Sequence, residues 1–278
     1  MQIKFDSKRA VSPIVSTLLL MVITMMALSL TLGYTQNTLT RKNGETDFET
    51  AKSFMRNLGL QVDDVAWIKG RVDTVHITSQ YGQIEYVNDV VQYKIDFIDN
   101  FGHIVGTKTI NSDIFMYNIP TEKYYLEEGY YSEILGSVPA EIVSMGVDAP
   151  VARVFATQSN IVGGAQFLRV VMVPVLRVQT YNVTSSGSVT RYCRIFIPDL
   201  QPGYSSTLAK SVVLTGLDVK TEIYEAVTRV DISVTFPQLE KNYDNNFFRF
   251  GEVLQNIQLT GSSNVEVYSG QVRLDYGA

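Results

Sequence analysis

The chain holds one cysteine, Cys193, two histidines, His76 and His103, and one tryptophan among its 278 residues. A lone cysteine excludes any intramolecular disulfide, so stability has to come from packing. The histidines stand apart, with no H-x-x-x-H or C-x-x-C spacing able to assemble a zinc site, and both read as structural. There is no G-x-S-x-G elbow and no G-x-x-x-x-G-K-[ST] phosphate loop. Basic charge is scarce too: Lys+Arg number 23 against 28 Asp+Glu, a formal net charge of −5. No basic stripe is present of the kind that displaces phosphate counterions, which argues against nucleic acid as a partner. The expectation is a protein that is not an enzyme, with no catalytic residues, no metal and no cofactor.

Charge is missing altogether from Val11 to Thr40, 30 consecutive residues, and most of that run is apolar. About 20 such residues suffice to cross a bilayer as a helix. A secretory leader has an apolar core of roughly 7 to 15 residues and a small-residue cut site. This core is longer and lacks a clear A-x-A end. Ahead of it, Lys4, Lys8 and Arg9 against Asp6 give residues 1–10 a net charge of +2. By the positive-inside rule that charge holds the N-terminus in the cytoplasm and sends the C-terminal bulk outside. Pro13 is tolerable because the first helical turn has no intrahelical partner for its N–H. Val11, Pro13, Ile14, Leu18, Leu19, Met21, Val22, Ile23, Met26 and Leu30 form the candidate membrane and assembly surface. Ser and Thr residues among them would let apolar helices approach closely.

The junction Lys8-Arg9-Ala10-Val11-Ser12-Pro13 resembles the class III signal peptide of archaeal type IV pilins and archaellins. In that family a prepilin peptidase cuts after a basic and a small residue and leaves the apolar helix on the mature subunit. The resemblance implies processing at Lys8, Arg9, Ala10 and Val11, with Val11 the new N-terminus. Bacterial type IV pilins usually carry glutamate at the fifth mature position, and here that position is Val15, as in the archaeal proteins. Removing residues 1–10 would leave 20 basic against 27 acidic residues, a net charge of −7. The implied partners are the prepilin peptidase, the pilus assembly machinery, the membrane before assembly, and identical or other pilin subunits afterwards. The implied location is a single-pass precursor in the cell membrane, then a filament at the cell surface. The alternatives are a single-pass, non-polymerising surface binding protein, ordinary secretion with cleavage near Ala27 to Tyr34, and a secreted enzyme.

The expected fold class is α+β: a long hydrophobic N-terminal helix followed by a mainly antiparallel, β-sandwich-like head. Phe48, Ala51, Phe54, Met55 and Leu58 recur at helical spacing, with Thr46 or Asp47 as a cap and Asn57 or Gly59 as an end unless the pattern runs on to Asp64. The helix is therefore expected over 11–63, with 11–34 in lipid or a filament core and a bend near 43–44. Continuous from Val11 to Leu58, it would span roughly 70 Å. Beyond it, period-two alternation predicts strands at Val72–Thr78, Ile84–Val87, Val90–Ile98, His103–Ile110, Phe167–Val178 and Thr190–Ile197. Further strands are expected at Ser211–Thr215, Val219–Tyr224, Arg229–Phe236, Gly251–Leu259, Val265–Tyr268 and Val272–Tyr276. The head would cover 64–278, and any division into two subdomains would fall near 136–164.

Three surface features remain. Asn182-Val183-Thr184 is the one N-x-[ST] sequon, beside a Ser-Ser-Gly turn, and makes Asn182 a candidate glycosylation site. Asp96, Asp99 and Asn100, and Asp244, Asn245 and Asn246, offer oxygens to calcium but serve turns equally well. Tyr117, Tyr124, Tyr125, Tyr130 and Tyr131 form either an adhesive patch or core. Cys193, between Arg191 and Arg194, is either an activated thiol or a buried strand residue.

Overall fold

The helical spacing that begins at Phe48 continues past Leu58 through Val62, Val65 and Ala66, and the helix follows it. In the computed structural model, which describes residues 8–78, 81–136, 141–158, 166–185, 188–205 and 211–277, α1 runs from Lys8 to Ala66. The chain separates into two compact units, one ending at Glu45 and one spanning Thr46–Ala278. Gly44 lies within α1. Asp47 lies inside α1 and not at a helix start; it is buried, and its carboxylate accepts the backbone N–H of Tyr81 at 2.8 Å. Gly59 does not end the helix either. A Cβ there would lie 3.1 Å from both Leu135 and Val154, so the missing side chain lets helix and sheet approach closely.

The end of α1 is set by tertiary contact. Added Cβ atoms on Gly216 and Gly270 would lie 2.4 Å from the Ile68 carbonyl oxygen and 2.3 Å from that of Ala66. The last turn thus rests directly on strand backbone, and Gly70 N–H donates to the Gly216 carbonyl at 2.8 Å. Beside this seat, Asp63 accepts from Trp67 Nε1 and from Arg177 Nη1, each at 2.8 Å. The Arg177 guanidinium lies 4.9 Å from the centre of the Phe196 ring.

Eleven strands of the described residues form one mixed sheet, where a sandwich of antiparallel sheets is expected. They are β1 (Val72–His76), β2 (Gln83–Ile98), β3 (Ile104–Pro120), β4 (Tyr131–Leu135), β5 (Val143–Met145), β6 (Ala152–Thr157), β7 (Phe167–Pro174), β8 (Leu176–Ser185), β9 (Ser188–Ser205), β10 (Ser211–Thr235) and β11 (Leu254–Gly277). The order is β4-β6-β7-β3-β2-β10-β11-β9-β8-β5, with β1 on β10. Pairs β9–β11 and β5–β8 are parallel.

Several expected strand breaks are bulges. The gaps expected at 216–218 and 225–228 are register irregularities inside β10, and that expected at 88–89 is a bulge in β2. Asp89 and Ala226 there have φ of 52° and 58°. An extra residue bends a strand without ending it. The expected Phe167–Val178 strand is two, β7 and β8, parted at Val175.

Two apolar cores flank the sheet. Phe48, Met55, Leu58 and Val62 of α1 pack with Phe115, Val154, Met172 and Leu274. Neighbours in the same strands, Ile114, Phe155, Val171 and Val173, belong to the second core with Tyr93, Cys193 and Ile232. Burial on both faces explains why β6 and β7 show no alternation of apolar and polar residues. The short helix α2 (Asn245–Phe248) closes the second core with Phe247 and Phe248.

Arg153 is also buried, with Nε 2.8 Å from Glu133 Oε1, an Nη2 hydrogen bond to Tyr131, and its guanidinium 4.8 Å from the centre of the Phe155 ring.

Gly270→Ala is expected to destabilise Thr46–Ala278 by about 1–3 kcal/mol, because the added methyl overlaps a backbone oxygen that a rotamer change cannot move. An unchanged denaturant midpoint for the detergent-solubilised full chain would contradict this seat. Burial pushes the Cys193 thiol up to about 12, so at pH 8 the folded protein should leave it unalkylated by iodoacetamide, and unfolding should release it. Rapid alkylation of the native protein would refute that placement.

Candidate membrane and assembly helix

The unit ending at Glu45 consists, over its described part, of the first stretch of α1. Leu18, Leu19, Met21, Val22, Ile23, Met26 and Leu30 are each more than half exposed, as is every other large apolar residue from Val15 to Leu39. The stretch is long and apolar enough to cross a membrane, and no part of its most apolar window is buried within the protein. Exposed apolar surface on this scale favours lipid or another protein over water. Leader residues 1–7 lie outside the described residues, as do the side chains of Lys8, Arg9, Ala10, Val11, Pro13 and Ile14.

The hydroxyls in this stretch show how a helix with several polar side chains suits lipid. Thr24 Oγ1 donates to the carbonyls of Leu20 and Met21 at 2.9 Å, and Thr31 Oγ1 to Ala27 at 2.7 Å. Thr35 and Thr38 donate to Thr31 and Tyr34 at 2.8 and 2.9 Å. Each such proton is satisfied inside the helix, which a water-free medium demands. Thr17, Thr24, Thr31 and Thr38 also recur every seven residues. Seven residues bring a helix back almost to the same side, so these threonines line one face. That period is readable in the sequence and escapes a search for apolar spacing alone.

The other candidates fall elsewhere. Asn182 is exposed on β8, opposite Arg191 of β9. The acidic loops are occupied by turn chemistry. Asp99 accepts the N–H groups of Phe101 and His103, and Asp244 accepts those of Asn246 and Phe247. Asp96 takes Lys94 Nζ at 2.7 Å and Thr107 Oγ1 at 2.6 Å. Desolvation acts against its charge, but those two donors hold its carboxyl below the ordinary range. Among the described residues no group of three or more His, Cys, Asp or Glu is placed to hold a metal ion.

The tyrosine patch divides. Tyr117 is buried, Tyr124 and Tyr130 pack around Phe48 at 5.8 and 6.2 Å, Tyr131 meets Arg153, and Tyr125 stays exposed. His76 and His103 are both exposed. No family model, curated protein or solved structure matches the chain.

Leu19→Asp should weaken membrane insertion by about 2.5–3.5 kcal/mol, the cost of aspartate near a helix centre. The measurement is the fraction of full-length protein retained in membranes after alkaline extraction. Retention equal to that of the unaltered chain would count against this stretch as the spanning segment.

Proposed function

We propose that the chain is a structural subunit of an archaeal type IV pilus-like surface filament. A membrane precursor with its N-terminus in the cytoplasm is cut after Ala10 by a prepilin peptidase. The mature subunit then packs through its N-terminal helix against copies of itself or other pilin subunits, with the sandwich-like β head outside the cell and open to an adhesive role. The observation that carries the reading is the apolar surface from Val15 to Leu39, exposed among the described residues. Its action is assembly and involves no catalysis. Leaving lipid costs the helix apolar burial, and packing among identical helices restores it. The threonine face supports such packing, since the hydroxyls of Thr24, Thr31 and Thr38 donate within the helix.

A single-pass anchor that does not polymerise is the competing reading, and processing separates the two. The test is N-terminal sequencing of protein from the native cell surface and, separately, from sheared extracellular filaments. The expected result is a start at Val11 in the filament fraction. A start at Met1 confined to membranes would leave an anchored surface protein. Ile23→Asp is expected to abolish filaments, and normal filaments from that variant would overturn assembly through this helix.

A further inference from the structure

An open groove of about 630 Å³ lies between the β2–β3 bulge and the strands β9, β10 and β11. Its volume falls within the range of small-molecule sites, roughly 300–1,000 Å³. It lies wholly within Thr46–Ala278, and nothing in the assembly reading uses it.

One wall is built at a conformational cost. The register slips between Val87 and Val91, and Asp89 there adopts φ 52°, a left-handed backbone that non-glycine residues seldom take. Asp113 holds it: one carboxylate oxygen accepts the Asp89 N–H at 2.7 Å and the other accepts Tyr86 OH at 2.6 Å. Gln238 also donates to the Asn88 carbonyl. These contacts fix an acidic side chain at the groove, at a left-handed position that aspartate tolerates better than most residues. Across from it, Asp199 accepts from Gln201 Nε2 at 2.9 Å and Gln271 Nε2 at 3.2 Å. Gln92 and Asn111, joined at 2.8 Å, add an amide pair between the strands.

The lining chemistry narrows the ligand. Asp89, Asp113 and Asp199 outnumber Lys108 and Lys220, and Lys108 is already paired with Glu222. A phosphate or sulfate would meet net negative charge. A metal ion finds no ligand set among the described residues. An apolar ligand would strip water from carboxylates and amides without replacing their hydrogen bonds. A neutral ligand dense in hydroxyls avoids all three penalties. Its O–H groups donate to the carboxylates, its oxygens accept from amides and from Lys220, and Ile110 and Pro202 offer small apolar surfaces to its C–H faces.

We infer that this groove binds a neutral carbohydrate, with Asp113 and Asp199 as the hydroxyl acceptors on its two sides.

The test is saturation-transfer NMR and calorimetry on the detergent-solubilised full chain. The probes are maltotriose, mannotriose, lactose and tri-N-acetylchitotriose, with 3′-sialyllactose, inorganic phosphate and spermidine as charged comparisons. At least one neutral saccharide should bind. Asp199→Asn and Gln92→Ala, which leave the Asp89–Asp113 contact intact, should each weaken it about tenfold or more. Tyr125→Phe, at an exposed tyrosine outside the groove, should leave binding unchanged. Binding of none of the four neutral probes, binding of spermidine, sialyllactose or phosphate in their place, or saccharide binding insensitive to both groove variants would each overturn the assignment. Filament formation does not enter the measurement, so its outcome is independent of the assembly reading.

Discussion

Backbone-to-backbone contact at the end of α1 is the constraint on which the head depends. The Ala66 and Ile68 carbonyls sit where side chains on Gly216 and Gly270 would otherwise stand. Beside this approach, the apolar stripe from Phe48 to Val65 packs onto the sheet. The seat also sets the surroundings of Asp63. An aspartate one turn from the helix end would ordinarily face water, yet here it receives an indole N–H and a guanidinium while staying only part-exposed. Surface ion pairs contribute little. This one works through placement, because the arginine it holds is largely buried and stacked on Phe196.

The long strands follow from the same arrangement. A strand of 24 or 25 residues is uncommon, since the usual length is about 5 or 6. β10 and β11 reach that length by serving different cores along their course. Val212 and Leu214 face the helix core, whereas Val230 and Ile232 face the other. Register irregularities after Gly216 and Tyr224 let one strand change its allegiance without interrupting its pairing to β11.

Local pattern exposed some of this and concealed the rest. The uncharged run and the spacing Phe48, Ala51, Met55, Leu58 identify α1, because an unbroken apolar stretch and a single buried stripe are each visible in sequence. Its end was obscured by Asn57 and Gly59, which look like terminators until the sheet they press against is known. Short alternating segments located much of β2, β10 and β11 but made bulges look like turns, since both interrupt the period by one or two residues. β6 escaped detection because Val154 and Phe155 are buried on opposite faces, leaving no alternation to read. Arg153 and Arg177 look like surface residues in sequence, and only tertiary contact reveals their carboxylate and aromatic partners. The exposed apolar stretch of α1 was therefore legible almost residue by residue. The polar groove, gathered from five strands, was not.

The place of β11 bears on when the head is able to fold. Among the described residues, β9, β8 and β5 join the other strands of the sheet only through β11, which lies between β9 and β10 yet follows both in sequence. Without the 24 residues of β11, the strands of the described residues fall into two unconnected pieces with open edges. Non-local pairing of this kind is slow, because the chain entropy lost in closing the loop precedes the reward. The two pieces therefore become one continuous sheet only when β11 pairs with both β9 and β10.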